Sequence, residues 1–218
     1  MSLEVLFRDE FQGLYRSKAM LALLVGLPVL VMILYWASPD TSGMPMSAFT
    51  ALVASSLAGA LAAVMVAVGM MNEKSRKVYD LFLVRPVKAA HIILAKFGAT
   101  FLFVTLAVLV SIGVGMLADI SMGNAPTGVA LTAVARSMMM SVSMIAVASA
   151  VGVLIGASIS SILVGVILVL YGGNQLVGLV AMLTLQMSDN IIVQLVPSIG
   201  LTLLLLIIAV QLFKRLRG

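Results

Sequence analysis

Apolar runs of near-uniform length constrain this chain more than any other feature. They are residues 19–37, 48–71, 97–118, 137–157 and 191–213. Each is close to the ~20 residues that carry a helix across ~30 Å of hydrocarbon. A sixth apolar segment, residues 159–187, is too long for one comfortable span and too short for two. Tyr171-Gly172-Gly173-Asn174-Gln175 interrupts it. The reading is one span over 159–175, followed by a short apolar helix at the far interface. The expected fold is an all-α integral membrane protein, a single domain of six transmembrane helices over residues 1–218.

Charge supports the same class. Only 10% of residues are charged and 62% are hydrophobic, where a soluble domain carries roughly 25% charged residues. The net charge of +5 does not point to nucleic acid, because the cations sit at the ends of apolar runs. Anionic headgroups are the partner that arrangement suits. With six spans and both termini on one side, that side holds the segments 1–18, 72–96, 158 and 214–218. These contain twelve of the 13 Lys and Arg residues. Positive charge favours the cytoplasmic face, so the expectation is a multi-pass inner-membrane protein with both termini in the cytoplasm. Arg136 is the exception, near the outer end of the fourth span. It either snorkels to outer headgroups or faces a vestibule and meets an anionic part of a cargo.

Residues 1–18 read as an interfacial helix. Leu3, Leu6, Phe7, Phe11 and Leu14 recur at helical spacing, with Glu4, Arg8, Gln12 and Arg16 on the other side. Glu10 breaks the pattern by falling on the apolar face. The acidic residues Glu4, Asp9 and Glu10 also argue against a cleaved signal peptide.

Several chemistries lack the residues they need. There is no GxxxxGK[ST] phosphate loop, no HExxH, no GxSxG and no cysteine. The Met138-Met139-Met140 and Met144 cluster has no Cys or His beside it, so flexible packing explains it better than a metal site. The six apolar runs hold no Asp, Glu, Lys, Arg or His, the groups that usually mark ion-coupled carriers. The expectation is no enzyme activity on this chain, with energy entering through the basic loop 72–96.

Within that loop Val78, Leu81 and Phe82 share one helical face, with Arg76, Lys77 and Asp80 opposite. Pro86 ends this helix and suits the start of the next. Glu73, Asp80-Leu81-Phe82-Leu83, Arg85-Pro86-Val87 and Lys96 together resemble the loop of ABC-transporter permeases of the type 2 export family. The amphipathic start, six spans, interrupted fifth segment and basic end fit as well. The resemblance implies a coupling helix, Ser75 to Arg85, inserted in a cleft on a separate ABC ATPase subunit that carries ATP and Mg. Glu73, Val78, Asp80, Leu81, Phe82, Arg85 and Pro86 would form the contact. A solvated loop that only sets topology is the plainer alternative.

One coupling loop per chain implies a second permease chain, as a homodimer or with a similar partner. The resemblance puts the second and fifth spans along the pathway, making Ser55, Ser56, Met65, Tyr171, Asn174 and Gln175 candidate lining residues. The implied function is export of an amphipathic or apolar substrate. A haem-exporter-like permease, a secondary carrier and a membrane scaffold are the alternatives.

Overall fold

A computed structural model of the chain describes residues 3–37, 46–76, 88–123, 128–186 and 191–215. Among them every regular element is helical. The order is α1 (Leu3–Arg16), α2 (Lys18–Ala37), α3 (Met46–Ser75), α4 (Ala89–Ser121) and α5 (Val129–Ser158). Then come α6 (Ile162–Leu168), a π-helical turn (Val169–Gly173), α7 (Asn174–Gln186) and α8 (Ile191–Arg215). Six helical stretches are long and apolar enough to cross a membrane: 18–37, 46–75, 89–121, 131–158, 162–180 and 195–215. The chain is therefore an all-α, six-span membrane protein.

Small residues set the centre of the bundle. α3 and α5 run in the same direction and pack along one stripe each. A Cβ on Gly59 would lie 3.3 Å from the Ala148 Cβ. One on Gly152 would come within 2.5 Å of the Ala63 carbonyl oxygen, and one on Gly156 within 3.0 Å of the Ala67 Cα. Positions 59, 63 and 67 thus meet 148, 152 and 156, one turn at a time. No hydrophobic force separates helix from lipid, so close van der Waals approach of small residues drives such contacts. The GxxxG of α5 is used inside the chain.

The helices outrun the apolar stretches that announce them. α3 continues through Glu73 and Lys74, and α4 begins at Ala89, seven residues before Lys96. Hydropathy marks where lipid-compatible side chains begin, whereas the hydrogen-bond ladder continues into the polar flanks. The segment read as a span ending at Gln175 also differs. Tyr171–Gln175 does not end the helix, which passes through a π turn and continues to Gln186. Gly173 is buried, with Val151 of α5 3.1 Å from where its Cβ would stand. Gly172 faces open space. One wide turn lets the backbone lie against α5 without breaking the ladder.

Candidate functional site

The ends of α3 and α4 that flank residues 77–87 meet α1 around one buried cation. Lys96 is 5% exposed. An isolated ammonium there would be strongly disfavoured. It is compensated by two carboxylates from different helices, donating to Glu10 Oε1 of α1 and Glu73 Oε1 of α3, each at 2.7 Å. Glu10, the misfit on the apolar face of α1, therefore meets its partner inside the bundle. Burial raises its carboxyl pKa above the ordinary 4.5, against the pull of Lys96, and the nearby Glu73 and Asp9 raise it further.

Apolar contacts hold α1 in the register this pairing needs. Leu6 is buried, and Phe7, Phe11 and Leu14 pack against the core from its edge. The Phe7 ring lies over Gly98, where a Cβ would come within 3.2 Å of it. Phe11 stands edge-on to Phe103 of α4 at 6.0 Å. Arg8, Gln12 and Arg16 are exposed. A second cation, Lys74, donates to the Ala157 and Ile159 carbonyls at the end of α5. It satisfies carbonyls that a helix C-terminus leaves open and suits the negative end of the helix dipole. The same end of the bundle thus links α1, α3, α4 and α5 through two lysines.

The opposite end holds the other buried charge. Asp119, 5% exposed, accepts the Ser47 backbone N–H at 3.2 Å, which places a carboxylate at the N-terminus of α3. The Tyr35 hydroxyl lies beside Asp119 and donates to the Gly115 carbonyl at 2.8 Å. Lys96 and Asp119 are separated by about 34 Å along α4 at ~1.5 Å per residue, close to the ~30 Å hydrocarbon thickness.

The residues expected to meet an ATPase divide sharply. Glu73 sits in the ion triad. Val78, Asp80, Leu81, Phe82, Arg85 and Pro86 lie outside the described residues. The expected pathway residues divide too. Ser55 is fully buried, and its hydroxyl donates to the Ala51 and Leu52 carbonyls of its own helix. Met65 is half-buried against the core. Ser56, Tyr171, Asn174 and Gln175 are exposed on the surface of the chain. Arg136 is half-buried, five residues into the fourth candidate span. No described groups of His, Cys, Asp or Glu form a metal cluster.

Sequence reasoning missed the Glu10–Lys96–Glu73 triad and the Asp119 clasp. A signal for the first was present as two complementary misfits: a carboxylate on an apolar face and a lysine inside the helix that follows the loop.

Comparison with protein families gives one match. Residues 6–175 fit the family described as ABC-2 family transporter protein, running from α1 through the loop to the π turn. No individual curated protein matches the chain.

Proposed function

Because the chain belongs to the ABC-2 transporter family, we propose that it is the membrane subunit of an ATP-driven exporter of amphipathic or apolar cargo. The family match, whose range 6–175 takes in the loop 72–96, supports this reading. ATP and Mg sit on a separate ATPase subunit, since this sequence has no phosphate loop of its own. Both termini and the loop face the cytoplasm in this reading, the side that the distribution of cations favours.

The triad gives the loop mechanical consequence. A force applied between α3 and α4 acts on Glu73 and Lys96, and through Glu10 on the surface helix α1. Packed helices and ion pairs respond as discrete arrangements rather than continuously. ATPase docking on Leu81 and Phe82 would therefore tilt three helices together.

A second permease chain completes the pathway. Asn174 and Gln175 are exposed on a transmembrane helix, where an amide without a partner is costly in lipid. They suit a water-lined or cargo-lined seam between two chains, with Tyr171 and Ser56 among the contributors. The π turn supplies a place where this helix bends without losing its ladder.

The test uses the chain with its ATPase in vesicles. Leu81→Asp and Phe82→Asp each put a charge where an apolar cleft must desolvate it. Both variants should insert normally yet lose ATPase co-purification or cargo-stimulated hydrolysis. Normal coupling in both would end the docking proposal, and transport without any ATPase would favour a secondary carrier. The lack of native cysteines allows a parallel check of orientation. Single cysteines at Ser42, Asn124 and Ser188 should react with an impermeant reagent from outside, and cysteines at Ser2 and Ser75 should not.

A further inference from the structure

The face of α4 turned away from the triad forms one wall of an apolar groove. Ala90 and Leu94 line that wall, and Leu203, Ile207 and Val210 of α8 line the other. The groove is open along its length and encloses about 380 Å³. From Leu203 to Lys214 it extends ~16 Å along α8 at 1.5 Å per residue. That is half of a ~30 Å hydrocarbon core, the depth of one leaflet. Lys214 closes the groove at the end of the bundle where the triad lies.

Among the described residues that flank this mouth on α4 and α8, the charge is positive. Lys214 is exposed, and among the described residues no carboxylate pairs with it. Arg215 follows it directly, and Lys88 stands two residues before Ala90; both are exposed. Glu73 of α3 and Glu10 of α1 are engaged by Lys96 on the other side of α4, and the remaining α1 carboxylates, Glu4 and Asp9, are exposed on that helix. A second copy of the chain meeting this face about a two-fold axis would bring Lys214 and Arg215 towards their own equivalents, which is unfavourable.

We propose that the α4–α8 groove is a binding site for an anionic phospholipid. One acyl chain fills the groove beside Leu94, Ile207 and Val210, and the phosphate pairs with Lys214. Basic pockets between transmembrane helices recognise headgroups in this way. The bound lipid wedges α8 against α4. This site depends on the chain being embedded in a membrane and not on its coupling to an ATPase.

The experiment is native mass spectrometry of the full chain in neutral detergent. Phosphatidylglycerol and phosphatidylcholine with identical acyl chains are added in equal amounts. One cation near a headgroup is worth ~1 kcal/mol, so the parent should retain phosphatidylglycerol about fivefold over phosphatidylcholine. Lys214→Gln should cut the preference about fivefold, and Lys214→Arg should keep it. Val210→Trp, which fills the groove, should reduce retention of both lipids while the lipid-free melting temperature stays near that of the parent. Equal retention of the two lipids by the parent would overturn the proposal. So would a preference that Lys214→Gln leaves unchanged. Loss of dimer rather than of lipid in Val210→Trp would assign the groove to a second copy instead.

Discussion

The two ends of α4 solve the same problem in different ways. Each holds a charged side chain that is 5% exposed. At one end Lys96 is neutralised by two full charges brought from α1 and α3. At the other end Asp119 meets the backbone N–H of Ser47 at the first turn of α3, with the Tyr35 hydroxyl beside it. The helix dipole adds to the attraction there, since the N-terminus carries a partial positive charge. The first arrangement is a hub, in which one buried ammonium is shared by two half-buried carboxylates from different helices. The second is a clasp between adjacent helix ends, built largely on a backbone group that mutation cannot remove. Only the hub involves α1, and only the hub adjoins the loop between α3 and α4. A disturbance of that loop therefore reaches the Lys96 charge cluster, while the clasp holds the far ends of the same two helices together.

The largest expected effect comes from removing the centre of the hub. Lys96→Met leaves Glu10 and Glu73 facing one another without compensation. Breaking a fully buried pair costs about 3–5 kcal/mol, and the 32% exposure of both stranded carboxylates keeps the loss here below that range. The variant should unfold at clearly lower temperature in detergent, and α1 should become sensitive to protease. Adding Glu10→Gln and Glu73→Gln removes the stranded charges, so the triple variant should recover much of the loss. A triple variant no more stable than Lys96→Met alone would show that the lysine acts by packing and not as an ionic hub.

The clasp should be easier to damage without consequence for α1. Asp119→Ala leaves the Ser47 N–H buried without an acceptor, a loss of about 1–3 kcal/mol. Asp119→Asn keeps an oxygen that can accept it and should lose less. Neither variant should alter the protection of α1 from protease or hydrogen exchange. If Asp119→Ala loosened α1 as much as Lys96→Met, the two ends would be coupled through α4 and the contrast between hub and clasp would fail.

Much of this was legible in the sequence, for physical reasons that can be named. The six spans followed from run length, because lipid leaves the backbone few alternatives to a helix. Of the apolar residues spaced along α1, Leu6, Phe7, Phe11 and Leu14 meet the bundle, whereas Leu3 is exposed. Gly152 and Gly156 stand at the small-residue spacing that permits close helix approach, but spacing alone does not say whether the partner is α3 of the same chain or a helix of a second copy. The Tyr171–Gln175 tract was misleading because glycine propensity describes an isolated helix, whereas Gly173 is held against Val151 of α5. The hub was hidden because charge pairing between residues 10, 73 and 96 is a property of the packed helices. Hydropathy treats Lys96 as the end of a loop; in three dimensions it is the point on which three helices converge.

The smallest expected effect concerns Glu10 itself, and it tests how the hub is balanced. The hub contains two carboxylates and one ammonium, so it carries a net negative charge when both acids are ionised. Glu10 holds its proton more firmly in the docked helix than its ordinary value of 4.5, chiefly because it is partly buried. A carboxyl whose folded pKa is raised stabilises the folded state most below its unfolded value. That contribution is lost as pH rises through the folded value. Docking of α1 should accordingly weaken over the interval just above pH 4.5 and then level off towards neutrality. Because the Glu10 side chain is 32% exposed, solvent screening keeps the effect to the ~0–1 kcal/mol of a surface ion pair. Glu10→Gln should remove the pH dependence and leave Lys96 paired with Glu73, with α1 docked about as firmly as in the parent at low pH. Hydrogen exchange at the amides of residues 6–14, corrected for intrinsic rates, measures this directly at pH 5 and pH 7. Protection in the parent that rises with pH would mean that attraction to Lys96 outweighs burial at Glu10, reversing the assigned direction.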